Sequence, residues 1–218
     1  MTKLAHSYSS LKLYENCPLR YYRQRVKKDV RDMGGEAAQH GQRIHELLEK
    51  RLKEGDIHRD IEKYEPLCQA FEQLAEGKTL EVEREMTLTQ KLVPTGWWDS
   101  DAWLRSKLDI FVYDGSEAVV ADWKTGKRRV DFFQMRLFAA QVFRHIPEVD
   151  KVKTTLVWLK TGEMDTETYT RTNDEADILL ELFKKIQRIE HSLEHDNWPA
   201  KSGPLCRWCP AQSTCDYS

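Results

Sequence analysis

The stretch from Ser106 to Lys127 constrains the fold of this chain more than any other. Two runs of β-branched, aromatic and aliphatic residues flank Asp114-Gly115, a dipeptide that favours the tight turns of β-hairpins. The expectation is two antiparallel strands joined at Asp114-Gly115. Each strand carries one acidic residue, Asp109 or Asp122, near the same end of the hairpin. Side chains alternate across a strand, so Asp122 and Lys124 share one face and Trp123 takes the other.

Two carboxylates and a lysine converging at one sheet edge can hold a hard divalent cation and set an ammonium beside it. That is equipment for metal-assisted hydrolysis of a phosphodiester. The competing reading is a solvated strand face, on which Asp and Lys are common. The rest of the chain decides between the two.

Upstream, Ser7 or Ser9 opens a helical region that runs to Val26, with Leu11, Tyr14 and Tyr21 on its apolar face. Gly34-Gly35 breaks the pattern. A helix over Glu36–Leu52 carries Ala37, Ile44, Leu47, Leu48 and Leu52 on one side and ends at Gly55. Pro66–Ala75 reads as a short helix with Cys68 beside Leu67, Phe71 and Leu74, and Leu80–Thr89 alternates as a strand. Trp97 and Trp98 follow the loop Pro94-Thr95-Gly96 and read as core or lid, with a platform for stacking a base as the alternative.

Downstream of the hairpin, Asp131–Ile146 is an amphipathic helix with Phe133, Leu137, Ala140 and Phe143 inward. Val152–Lys160 and Thr166–Arg171 are strands around a turn at Thr161-Gly162. Thr172-Asn173-Asp174-Glu175 opens a long helix as a capping box. Ile178, Leu179, Leu182, Phe183, Ile186, Ile189 and Leu193 then recur at core spacing. The order α-α-α-β-β-β-α-β-β-α describes an α/β fold, a mixed central sheet flanked by helices.

The 218 residues, 40% hydrophobic and 32% charged, suit a globular chain with one substantial core. No apolar run approaches the ~20 residues that span a bilayer. The N-terminus lacks the apolar core of a signal peptide. The expectation is a cytoplasmic, reducing setting with no membrane partner. A net charge of −2 gives no global attraction to nucleic acid, so binding must use local patches. One candidate patch is Arg20, Arg23, Arg25, Lys27, Lys28 and Arg31, interleaved with Tyr21 and Tyr22. The other is Lys124, Lys127, Arg128 and Arg129, beside the acidic pair, where it can hold flanking phosphates.

Five cysteines is an odd count, and disulfides are not expected in a reducing compartment. Cys206, Cys209 and Cys215 lie in a segment with Pro204, Pro210 and few apolar residues. A core can hardly be built there, so the trio reads as ligands. Cys17 precedes Pro18, where a helix should end. If it joins the trio, four thiolates suit tetrahedral zinc or a 4Fe–4S cluster, and spacing does not decide between them. Either would tie segments 1–35 and 195–218 into a subregion of one domain spanning 1–218. His45 is a surface or packed side chain unless its helix crosses the end of the hairpin. In that case its imidazole completes the ligand set and favours Mn²⁺ over Mg²⁺.

Six segments stand in one order: Ser7-Tyr8-Ser9-Ser10-Leu11-Lys12-Leu13-Tyr14-Glu15-Asn16-Cys17-Pro18, Gly41-x-x-x-His45, Lys107-Leu108-Asp109, Asp122-Trp123-Lys124-Thr125-Gly126, Gln134-x-x-x-Phe138 and the C-terminal cysteine trio. Together they resemble the PD-(D/E)XK nuclease superfamily, with its restriction-endonuclease-like fold. The likeness points to the RecB-like exonuclease branch and the iron–sulfur nucleases of CRISPR adaptation, and it covers nearly the whole chain. It implies that His45, Asp109, Asp122 and the backbone carbonyl of Trp123 hold Mg²⁺ or Mn²⁺. It also implies that Lys124 orients the attacking water and the scissile phosphate, helped by Gln134. Cys17, Cys206, Cys209 and Cys215 would hold a structural 4Fe–4S cluster, zinc being the alternative. Phe138 departs from the family's Q-x-x-x-Y and removes a hydroxyl contact to DNA.

The function implied is metal-dependent hydrolysis of DNA, exonucleolytic on single strands or duplex ends. The setting would be recombination, repair, phage DNA processing or CRISPR adaptation, with a helicase or recombination partner for any unwinding. The alternative is a catalytically silent DNA-binding or assembly subunit. A third reading is a zinc-stabilised interaction module.

Overall fold

A computed structural model describes residues 4–217. In chain order the elements are α1 (Tyr8–Asn16), α2 (Pro18–Tyr21), a π-turn (Tyr22–Val26), α3 (Glu36–Glu54), α4 (Glu65–Leu74), β1 (Thr79–Leu88), β2 (Leu104–Asp114), β3 (Glu117–Lys124), α5 (Phe132–His145), β4 (Lys151–Trp158), β5 (Glu163–Thr170) and α6 (Arg171–His195). Two short 3₁₀ turns, Cys206–Trp208 and Gln212–Thr214, follow α6. No helix among the described residues is long and apolar enough to cross a membrane. The chain forms two compact units, one of residues 1–33 with 180–218 and one of residues 34–179, and it passes between them within α6.

In the larger unit the five strands lie in the order β1-β2-β3-β4-β5. Only β3 and β4 are parallel, with α5 as their crossover, so the sheet is mixed. Alternation divides it into two covered faces. Ile110 and Val112 of β2, Ala121 and Trp123 of β3 and Val157 of β4 pack with Ile44, Leu48, Cys68 and Phe71 of α3 and α4. On α5, Phe133, Met135, Leu137, Phe138, Val142 and Phe143 are all buried. Gln134 of the same helix bonds Asp122, whose side chain points to the face away from Trp123.

The hairpin turns one residue later than expected. Asp114 pairs with Glu117, leaving Gly115-Ser116 as the loop. Gly115 has φ +55°, so the glycine meets the positive φ that primed turns demand at the first central position. Asp131 caps α5 by accepting from the Phe133 N–H at 3.0 Å. Gly55 closes α3 in the left-handed conformation. The long helix starts before the expected capping box: Arg171 is already helical, and Asp174 reaches back to the Thr170 N–H at 2.6 Å. Three residues expected in the core are instead exposed: Ala37, Leu74 and Phe183.

In the smaller unit Ser7 caps α1, and a reciprocal bond from the Ser10 side chain completes a capping box. The helical region then breaks at Cys17, which is extended (φ −163°, ψ 109°). Pro18 excludes the α-region for the residue before it. Trp198 stacks on Tyr22 and Tyr21, with ring centroids 5.1 and 6.1 Å apart. The Tyr14 hydroxyl donates to the Arg188 carbonyl at 2.8 Å.

Candidate metal and cysteine sites

The β2–β3 ladder ends at the pair Ile110–Ala121, and Asp109 and Asp122 are the next residue of each strand beyond it. Both are buried. The Trp123 N–H donates to Asp109 Oδ2 at 2.7 Å. Nδ1 of His45, on α3, lies 3.4 Å from the same oxygen. Trp123 sends its indole to the other face, edge-on to Phe71 at 5.4 Å. One residue of β3 thus anchors the core with its ring and orients a carboxylate with its N–H.

Gly41 explains how α3 comes this close. A Cβ at Gly41 would meet the Thr125 Oγ1 at 2.8 Å. With Thr125 in place the glycine lets the helix come this near the end of β3, and His45 lies one helical turn further along the same face.

Asp122, Lys124 and Gln134 close a ring. Lys124 Nζ is 2.5 Å from Asp122 Oδ2 and donates to Gln134 Oε1 at 2.9 Å. Gln134 Nε2 donates to Asp122 Oδ1 at 3.2 Å. Burial pushes the Asp122 carboxyl up to about 6, against the pull of Lys124 and with a further push from Asp109. For His45 burial works downward, but the bond and charge of Asp109 outweigh it and the imidazole pKa is raised.

Sequence reasoning missed Glu83. Ligand atoms of His45, Glu83 and Asp109 all lie within 4.8 Å of one another. Glu83 interrupts the β1–β2 ladder, with Val82 paired to Ile110 and Arg84 to Leu108, and it stands across from Asp109. Its φ is +59°, a conformation that costs a non-glycine residue about 1–2 kcal/mol. Burial raises its carboxyl pKa, while Lys107, paired to it at 2.5 Å, pulls the other way. Glu81, Glu83 and Glu85 alternate along β1 and read alike in sequence. The distortion of the ladder is what singles out the middle one.

An imidazole nitrogen and two carboxylates form a donor set suited to Mn²⁺ or Mg²⁺. Asp122 stands outside this group, engaged with Lys124 and Gln134. The four sequence-predicted ligand residues are therefore brought to one end of the hairpin, but divided between two adjoining clusters.

The basic patches are largely neutralised. Arg20 pairs with Asp32 at 2.6 Å, and Arg23 and Lys27 with Asp29 at 3.3 and 3.0 Å. Arg128 donates to Asp165 at 2.9 Å, leaving Lys127 and Arg129 exposed beside the site. Phe138 is buried, 4% exposed.

In the smaller unit Cys17, Cys206, Cys209 and Cys215 line one cavity of about 250 Å³. The Lys201 N–H points at the Cys17 sulfur at 3.4 Å and the Gly203 N–H at the Cys206 sulfur at 3.3 Å. The fifth cysteine, Cys68, is a core residue of the other unit, its thiol pushed up to about 11 by burial.

The sequence pattern of the PD-(D/E)XK nuclease superfamily matches residues 5–216. The chain belongs to that superfamily, and the match supports a nuclease. Among solved structures the fold is similar to that of SSO0001, at a TM-score of 0.52 and 13% identity over 99% of this chain and 87% of that one. It is also similar to a candidate exonuclease of Eubacterium rectale, at a TM-score of 0.55 and 14% identity over 100% of this chain and 91% of that one. At such identities the likeness establishes the fold. No curated protein matches the sequence.

Proposed function

We propose that this superfamily member is a divalent-metal-dependent DNA nuclease, working exonucleolytically on single strands or duplex ends. The observation that carries the proposal is the pair of adjoining clusters at one end of the hairpin. His45, Glu83 and Asp109 offer ligand atoms within 4.8 Å of each other, and Asp122 holds Lys124 beside them. The description of the E. rectale structure as a candidate exonuclease supports the exonucleolytic reading.

In this reading His45, Asp109, Asp122 and the Trp123 carbonyl hold Mg²⁺ or Mn²⁺, with Glu83 as a further donor. Bound there, the ion supplies Lewis acidity: it lowers the pKa of a water and neutralises charge that builds on the phosphate. Lys124 places its ammonium where the attacking water and the scissile phosphate meet. Asp122 and Gln134 hold that ammonium from two sides, which fixes it before substrate arrives. Lys127 and Arg129, which are exposed and for which no ion pair is seen among the described residues, are assigned to flanking phosphates.

Cys17, Cys206, Cys209 and Cys215 would hold a 4Fe–4S cluster as a clamp, with zinc as the alternative occupant. Four thiols around one cavity and N–H groups aimed at two of the sulfurs fit either group. Metal analysis separates them: iron with acid-labile sulfide supports the cluster, and stoichiometric zinc overturns it. Unwinding falls to a helicase or recombination partner, in repair, phage DNA processing or CRISPR adaptation.

The deciding experiment is cleavage of end-labelled single- and double-stranded DNA with Mn²⁺ or Mg²⁺, wild type against Lys124→Ala. Metal-dependent products from wild type alone are expected, and a ladder from one end marks an exonuclease. DNA bound by both proteins and cut by neither would move the assignment to a silent DNA-binding or assembly subunit.

A further inference from the structure

Trp98 is out of place for a core residue. It is 85% exposed, the largest exposure of any large apolar side chain in the described chain. The loop that carries it is built to hold it there. The Asp99 carboxylate accepts from the Gly96 N–H at 2.7 Å and from the Thr95 hydroxyl at 2.7 Å. The same hydroxyl reaches Asp101 at 3.2 Å. A Cβ at Gly96 would meet the Asp99 carboxylate oxygens at 2.8 and 2.9 Å, so a side chain there would displace the carboxylate that closes the turn. The Arg105 guanidinium lies over both indoles, 5.4 Å from the Trp97 ring and 5.7 Å from the Trp98 ring.

This platform leads to the candidate metal site. Trp97 and Glu83 line one groove of about 670 Å³. Glu83 also lines the pocket that holds His45 and Asp109. Arg105 and Asp109 share β2, four residues apart, about 14 Å along the strand. That distance corresponds to about four nucleotides of a stacked single strand, fewer if it is extended. Acidic side chains of the groove that face an incoming strand are partly neutralised, Glu81 by Arg84 at 2.8 Å and Glu83 by Lys107 at 2.5 Å.

We propose that Trp98, braced by Arg105 and Trp97, stacks a base of single-stranded DNA a few nucleotides from the bond being cut. The occupant is a nucleotide of the strand because an exposed indole beside a guanidinium matches its two parts. The ring takes the π-face and the cation takes the adjoining phosphate. The inference rests on the DNA-nuclease reading and adds to it the grip that keeps a strand in register during successive cuts.

The test uses the full chain carrying Lys124→Ala, with Mn²⁺ and a fluorescein-labelled oligothymidylate followed by anisotropy. Adding Trp98→Ala is expected to weaken binding roughly tenfold, the effect of losing one stacked base. Trp98→Phe is expected to retain most of the affinity. An abasic residue scanned along the oligonucleotide should reproduce the loss at one position. At that position it should cost nothing further in the Trp98→Ala protein. Unchanged binding in Trp98→Ala, or additive losses at every abasic position, overturns the platform. Cleavage by wild type on the same oligonucleotide separates the two proposals. Metal-dependent products with a neutral Trp98→Ala sink the platform alone, whereas neither cleavage nor binding by wild type sinks the nuclease reading and the platform together.

Discussion

Asp122→Asn should make the metal-free protein more stable while destroying its proposed activity. Burial holds the Asp122 carboxyl at about 6, against an ordinary value of 3.8. A raised carboxyl pKa means that folding favours the protonated form. The fold is therefore unburdened below the unfolded value and carries the cost of a buried carboxylate once pH rises through the folded one. At 1.36 kcal/mol per pH unit, the interval from 3.8 to about 6 amounts to about 3 kcal/mol at neutral pH. The amide has nearly the same shape, cannot ionise and keeps an oxygen for Lys124, while its NH2 offers Gln134 no acceptor, so about 3 kcal/mol is the upper end of the gain.

Urea denaturation in EDTA, followed by far-ultraviolet circular dichroism, measures the difference. The expected result is an Asn variant more stable than the parent by up to about 3 kcal/mol above about pH 7, converging with it near pH 4. Saturating Mn²⁺ should narrow the gap, and nearly close it where the variant binds no metal. At a hundredfold excess over Kd a ligand adds about 2.7 kcal/mol to whichever protein binds it, and the variant has lost one donor. A variant less stable than the parent in EDTA at neutral pH would refute the reasoning. So would a difference that does not shrink on acidification.

His6 should drive the opposite pH dependence in the other unit. Burial, then the Arg25 charge, lowers its pKa from 6.5 to about 4, so its stabilising contribution is whole above 6.5 and is lost as pH falls toward 4, by about 3 kcal/mol. His6→Leu should therefore flatten the acid limb of the wild-type stability curve, and Asp122→Asn should steepen it, both read by urea midpoints across pH. Glu83→Gln is expected to weaken Mn²⁺ binding roughly tenfold or more, measured by calorimetry, if Glu83 is a donor; an unchanged affinity would leave it as the partner of Lys107 only. Gly41→Ala should cost about 1–3 kcal/mol by overpacking against Thr125, and the double variant Gly41→Ala/Thr125→Ala should recover most of it.

What could be read from sequence here is what one strand or one helical turn decides. The hairpin was legible because its turn is local, and a one-residue shift of that turn to Gly115-Ser116, which moves each cross-strand partner by two, keeps Asp109 and Asp122 on the same face. Gln134 was legible because α5 follows β3 within a few residues. Properties set by distant partners were not legible. Arg20, Arg23 and Lys27 read as a phosphate-binding patch until Asp29 and Asp32 fold back on them, and Arg128 until Asp165 arrives from β5. Trp98 read as core or lid, with base stacking as the alternative, and the hydrogen bonds of Asp99 shape the loop that leaves it exposed.

Glu83 joins the two halves of this pattern. Its type and strand were visible in sequence, but its part in the site depends on a backbone that leaves the β1–β2 ladder opposite Asp109. A left-handed glutamate costs about 1–2 kcal/mol wherever it stands, and a glycine or asparagine there would relieve much of it. A ladder break that merely ended strand pairing would need no carboxylate. One that aims a carboxylate at the same point as His45 and Asp109 fits the proposed cation, whose binding would offset the strain. Lys28, Leu92 and Asp196 are left-handed too, so what marks Glu83 is the strain together with its place beside His45 and Asp109.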